Sequence, residues 1–405
     1  MITLLLDCLR GSDTAAVAVR LAALSASEWR ALLDAAVTQQ VVALLFQRIA
    51  AMGIDAPHAA DTLTELQALY AANAARMLRL REELESVAAV MHTEGIPLIA
   101  LKGAHLAWCI YDDPGLRQMV DLDLLVPPEH LRRAARILTA YGYTPETALP
   151  PADVPATDVL HLPPFVNARR TRIELHANID AASQHHVIAP DALWERAVPL
   201  HIGAARFLGL SVEDLLLHTC CHVSYQHQFA FGLRPLYDIA QIIRHAGAAL
   251  SWPAAVERAH TWHRQRGVHL ALLLARDLVG AAVPEHVLAT LRPEGFDDAI
   301  AACAREQLLT QATSDDRLSP HAVAWHDSSL AERMALLCRR TLLPRKTIAQ
   351  LYGVSPRSWR VYVCYPKRIV YLITRYGRML LGGGRGGTQP TPGARRKHVL
   401  HTWLS

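Results

Sequence analysis

Apolar residues recur at three- and four-residue spacing through most of the chain, a period that predicts helices. The pattern is clear over residues 20–36 and 60–92, in an Ala- and Leu-rich opening, and again over residues 211–291. Glu94-Gly95-Ile96-Pro97 closes the first helical region, because glycine suits a C-terminal cap and Pro97 cannot continue a helix. The period then changes. Residues 98–101 form a short unbroken apolar run, as a buried strand does, and Lys102-Gly103 and a helical stretch to Tyr111 follow. Asp112-Asp113-Pro114-Gly115 is a turn signal. Residues 119–126, reading MVDLDLLV, predict a second strand. Pro127-Pro128-Glu129 opens a helix that runs to about Tyr141, and Gly142 ends it. A proline-rich loop over residues 150–164 leads to a third strand over residues 171–179, TRIELHANI. Strand, helix, strand, helix, strand in succession describes a small α/β sheet domain set in a helical chain.

Length and charge refine that division. At roughly 150 residues per domain, 405 residues suggest two or three domains. Charged residues at 19% against 51% hydrophobic exclude a disordered chain. We expect a helical region over 1–95, an α/β core over 96–205, a helical domain over 206–335, a basic region over 336–380 and a flexible tail over 381–405. Charge is unevenly spread. No Asp or Glu follows Glu332, while 14 Lys and Arg lie between Arg339 and Lys397. Setting those aside leaves 27 basic against 37 acidic residues, a net of −10, so an acidic body carries a basic end. Residues 339–378 interleave Arg and Lys with Tyr352, Trp359, Tyr362, Tyr365, Tyr371 and Tyr376. Three readings compete for them: packing back on the acidic body, lying on an anionic membrane surface, or, less favoured, binding nucleic acid.

The remaining bulk signals point to a cytoplasmic protein. The seven cysteines are odd in number and form no C-x-x-C, so reduced thiols are expected. The opening apolar run is interrupted by Asp7 and lacks a basic leader, so no signal peptide is expected. The longest apolar stretches fall far short of the roughly 20 residues a spanning helix needs.

Asp121 and Asp123 sit at i and i+2 in the second strand, so alternation puts both on one face. A solvated edge strand is the plain explanation. Two close carboxylates repel, however, and are tolerated readily when a cation sits between them. Glu174 and His176 repeat the arrangement in the third strand, and Glu174 can supply a third carboxylate. Hard oxygen ligands suit Mg²⁺, which would hold a triphosphate and acidify an attacking hydroxyl. Lys102-Gly103 lies where a strand turns into a helix: glycine admits a phosphate to the backbone, and the lysine adds charge.

The run LIALKGAHLAWCIYDDPGLRQMVDLDLLVPPEHLRRAARILTAYGY, followed by IELH, resembles the uncharacterised nucleotidyltransferase family of the polymerase β-like superfamily. The resemblance is specific over about residues 85–180, and weaker over 210–245 and 342–378. It implies an α+β fold, a small mixed β-sheet nucleotidyltransferase core embedded in a mostly α-helical chain. It implies Asp121 and Asp123 as ligands of Mg²⁺ (or Mn²⁺), Glu174 as the third acid, and an NTP as donor to an unidentified acceptor. Lys102 and Gly103 take the place of a Gly-Gly or Gly-Ser turn, with Lys102 departing from the small residue usual there. Arg117, four residues before Asp121, also matches, as a phosphate ligand or a brace for the acids. Two other readings stay open: a nucleotide-binding module without catalysis, and a peptide- or sugar-modifying transferase with another phosphate-linked donor.

Downstream, His218 and His222 are i and i+4 on one helix face, without the Glu of H-E-x-x-H, and are expected as a satisfied structural pair. Arg234 and Asp238 have the same spacing. They read either as a surface pair or, by the resemblance, as a base that meets nucleotide phosphates and an acid that orients it. His161, in the loop before the third strand, is a candidate substrate contact, as is His176.

Overall fold

The computed structural model describes residues 1–54, 56–151, 154–156, 159–180, 188–310, 343–352, 354, 357–381 and 391–405. Four helices open the chain: α1 (Ile2–Arg10), α2 (Thr14–Ala22), α3 (Ala26–Thr38) and α4 (Val42–Met52). Several helices were expected over residues 20–36 and 60–92, and within the first stretch the chain breaks between α2 and α3. Ser25 accepts from the Glu28 N–H while the Glu28 carboxylate takes the Ser25 N–H, and this reciprocal cap restarts the helix. Helix α5 (Ala60–Thr93) follows and closes at Gly95, whose φ of +66° suits glycine.

The next elements alternate as expected, with additions. They are β1 (Ile99–Ala100), α6 (Lys102–Cys109), β2 (Asp121–Leu125), α7 (Leu131–Ala140), β3 (Thr144–Pro145), β4 (Phe165–Val166) and β5 (Arg172–His176). After α8 (Pro190–Glu195) come β6 (Val198–Ile202) and β7 (Ala205–Gly209), a hairpin the periodicity did not predict. All join one seven-stranded sheet in the order β3-β4-β5-β2-β1-β7-β6. The sheet is mixed: β2 runs parallel to β5 and β1 parallel to β7, while β1 and β2 are antiparallel. Helices α9 (Val212–Cys221), α10 (Arg234–Ala246), α11 (Trp252–Thr261), α12 (Gln265–Val279), α13 (Glu285–Leu291) and α14 (Asp298–Leu309) complete the body. The fold class is α+β, as expected.

Two cores flank the sheet. Leu122, Leu124, Ile173 and Leu175 pack with Leu84 and Val87 of α5 and Leu131 and Leu138 of α7. The other core is helical and joins Leu5 and Leu9 of α1, Trp29 of α3 and Leu44 of α4 to Leu216, Ile239 and Leu270 of α9, α10 and α12.

At the basic end, helices Arg345–Tyr352 and Arg360–Leu381 pack around Ile348, Ala349, Val361 and Cys364. The flexible tail expected over 381–405 is corrected at its end, where Pro392–Leu404 is a helix. Thr391 caps it, Leu400 is buried, and Arg396 pairs with Glu306 of α14 at 2.7 Å. Residues 382–390, and residues 311–335 of the expected helical domain, lie outside the described residues. Among the described residues no helix is long and apolar enough to cross a membrane.

Candidate active site

Strand alternation builds the site. Leu122 and Leu124 of β2, and Ile173 and Leu175 of β5, face the α5/α7 core, so Asp121, Asp123, Glu174 and His176 share the opposite face. Parallel pairing sets Asp123 beside Glu174. Asp123 is buried, and its Oδ1 accepts from Lys102 Nζ at 2.8 Å and lies 2.8 Å from His176 Nε2. His176 Nε2 is 3.7 Å from a Glu174 oxygen. Ligand atoms of Asp123, Glu174 and His176 lie within 4.8 Å of one another. Asp121 lines the same cleft but stands outside that group.

These contacts separate the acids electrically. Burial opposes ionisation of Asp123, yet Lys102 and His176 hold its carboxyl far below the usual range. The His176 imidazole 3.7 Å away keeps Glu174 low. Burial lowers the His176 pKa, but Asp123 and Glu174 outweigh it, and the net shift is upward. Asp121 goes the other way, raised by burial and by the charges of Asp123 and Glu174. Asp121 is therefore the acid in the cluster that most lacks a counter-charge. The donor set, three carboxylates and one imidazole, fits a hard divalent cation.

The Lys102-Gly103 step is tightly packed. Lys102 has φ +43°, unusual for a residue with a side chain, and its ammonium turns to Asp123. A Cβ on Gly103 would meet Met119 Sδ at 2.6 Å and Arg117 Nη1 at 2.7 Å. A side chain at this position would collide with both.

Arg117 is buried and binds Asp238 through both prongs, Nε to Oδ1 at 3.2 Å and Nη2 to Oδ2 at 3.0 Å. Tyr111 donates to the same Oδ1 at 2.8 Å. The expected pairing of Asp238 with Arg234 is thus corrected. A fully desolvated guanidinium requires a bidentate carboxylate, and Arg117 takes it. Arg234 instead donates to the Gln118 carbonyl at 2.9 Å and lies 5.0 Å over the Phe231 ring, with its Nε unpartnered. Burial and the nearby Arg117 charge lower its pKa to about 10.

All these residues line one cleft of about 620 Å³: Lys102, Gly103, Arg117, Asp121, Asp123, His161, Glu174, His176, Arg234 and Asp238. His161 reaches it through a β-bridge to His176, the two rings 5.1 Å apart. The sequence reading missed part of the lining, His218, His222 and His227. His218 and His222 were expected to satisfy each other, but His218 Nε2 is buried without a partner, and His222 Nε2 lies 3.1 Å from His227 Nε2. A π-helical turn, His222–Gln226, after α9 produces this arrangement. Such turns are frequent at functional sites. The visible signal was the density of histidine between 218 and 227.

Compared with known proteins, residues 25–280 match the family described as uncharacterised nucleotidyltransferase. No curated protein matches the chain.

Proposed function

Because the chain belongs to the uncharacterised nucleotidyltransferase family, we propose that it moves a nucleoside monophosphate from an NTP to an acceptor and releases pyrophosphate. The observation that carries this reading is the register of β2 and β5, which gathers Asp121, Asp123 and Glu174 on the cleft face beside Lys102. Asp121, Asp123 and Glu174 would hold Mg²⁺ or Mn²⁺, with His176 beside them. Bound there, the metal supplies charge for the triphosphate and acidifies an attacking hydroxyl. The chain's own cations serve the phosphates directly. Arg234 has an unpartnered Nε and lines the same cleft as the acids. Arg117 acts as a brace, locking the approach to β2 through Asp238. The acceptor is a small molecule, peptide or protein. A cytoplasmic setting suits NTP use and the free cysteines Cys8, Cys109, Cys220, Cys221, Cys303 and Cys364.

One observation favours a second reading. Lys102 and His176 already sit on Asp123, an arrangement that suits a nucleotide-binding module using protein cations where an enzyme uses metal. Pyrophosphate release from each NTP, with water and a panel of hydroxyl compounds as acceptors, separates the two. The enzyme reading expects Mg²⁺-dependent release that falls at least about a hundredfold in Asp121→Asn/Asp123→Asn. Release unchanged by that double substitution would refute it. Nucleotide binding indifferent to Mg²⁺, without turnover, would establish the module.

A further inference from the structure

Helix Arg360–Leu381 has two apolar faces, and one of them is packed. Val361 and Cys364 are buried against Ile348 and Ala349, and Tyr365 donates to the Leu343 carbonyl at 2.8 Å. On another side Trp359, Tyr362, Val363, Ile369 and Val370 are between 42% and 71% exposed. With exposed Pro366 they recur at three- and four-residue spacing, so they form one stripe along the helix and the turn before it. A contiguous exposed apolar stripe marks an interaction surface.

The charges around the stripe identify the partner. Arg357, Arg360 and Lys367 are exposed beside it, and the Arg345 guanidinium lies 5.0 Å over the Tyr362 ring at its edge. No acidic residue follows Glu332. We infer that this face docks on an anionic lipid surface, the aliphatic side chains entering the acyl boundary and the cations meeting the headgroups. Trp359 and Tyr362 suit the headgroup level, where an aromatic ring has one apolar and one wet side. The helix lies on the bilayer, since it is not apolar enough to cross one. Nucleic acid fits less well, because Val363, Ile369 and Val370 gain nothing from phosphates or base stacking. A second copy fits less well too. An isologous contact would set Arg360 and Lys367 near their own counterparts, with no acid on this segment to answer them.

The inference does not rest on the transferase reading, and its test is separate. The full chain is sedimented with vesicles of phosphatidylcholine alone and of phosphatidylcholine mixed equally with phosphatidylglycerol. We expect pelleting with the anionic vesicles only, weakening as salt rises. Val370→Asp and Arg360→Glu/Lys367→Glu should each cut vesicle affinity about tenfold or more, with circular dichroism and NTP binding unchanged. Trp359→Phe should remove a blue-shifted component from the vesicle-bound emission. Three results would overturn the inference: no pelleting with anionic vesicles, equal pelleting with both kinds, or affinity indifferent to these substitutions. It would also fall if Val370→Asp split a dimer in sedimentation velocity or abolished tight oligonucleotide binding while leaving vesicle binding intact.

Discussion

Histidines in and behind the cleft wall are held neutral by burial. Desolvation first, then nearby positive charge, brings His218 to about 3 and His227 to about 4, and burial brings His105 to about 4. In the unfolded chain these rings take a proton near the ordinary value of about 6.5. Between those limits the unfolded state binds more protons, so stability is fully present above about pH 6.5 and is lost as pH falls toward 4. Each ring contributes up to about 1.4 kcal/mol per pH unit in that window. His176, raised by its acids, has the opposite sign, and the depressed rings outnumber it. Urea midpoints should therefore drop from pH 7 to pH 5, and His218→Gln should flatten that slope by about one group's share. A midpoint that held or rose on acidification would contradict the neutral assignment. Legibility at this scale follows the same physics. Asp121, Asp123 and Glu174 were readable because a charge flanked by strand-forming apolar residues is conspicuous. The orphaned His218 was not, because lacking a partner is a tertiary property. The Arg234–Asp238 spacing misled because Arg117, distant in sequence, is the more deeply buried cation and wins the carboxylate.

At the level of elements, strands with dense apolar runs declared themselves and the polar or very short ones did not. β1, β2 and β5 were legible. β3 and β4 are as short as β1 but, unlike it, do not sit in an unbroken apolar run and have prolines in or beside them. The β6–β7 hairpin exposes much of β6, so its apolar alternation is weak. The α6 entry was legible as a strand-to-helix turn, but its packing was not. Gly103 is needed because Arg117 and Met119 press on it, and Arg117 cannot retreat without breaking its pair with Asp238. Gly103→Ala should cost about 1–3 kcal/mol by overpacking. Met119 can swing aside, so we expect the loss nearer the lower figure in a Met119→Ala background. Thermal denaturation of the two single variants and the double variant would measure the coupling. Strict additivity would mean that Met119 is not the obstacle.

Across the whole molecule, α5 ties the cleft to both cores. Leu66 of its first half lies in the helical core, while Met77, Leu80 and Leu84 of its second half lie in the core behind the sheet. Between them it clamps the turn that leads to Arg117. Tyr70 donates to Asp113 at 2.6 Å, Asn73 donates to the Gly115 carbonyl at 2.7 Å, and Ala74 abuts Gly115. A break in the middle of α5 should thus reach the site without touching it. Ala75 is exposed, so replacing it perturbs the backbone and little else. Proline there removes a helical hydrogen bond, clashes with the preceding turn and should cost about 3 kcal/mol or more. Ala75→Ser, a mild helix-propensity change at the same place, should cost well under 1 kcal/mol, about the usual spread of propensities. If α5 holds the 113–117 turn in register, Ala75→Pro will also weaken NTP binding by the folded chain. The released turn no longer fixes Arg117, and through Gly103 the lysine beside the acids shifts with it. Isothermal titration well below the unfolding midpoint, alongside denaturation of both variants, would decide it. Lower stability with unchanged NTP affinity would show that α5 supports the fold but leaves the cleft to its own strands.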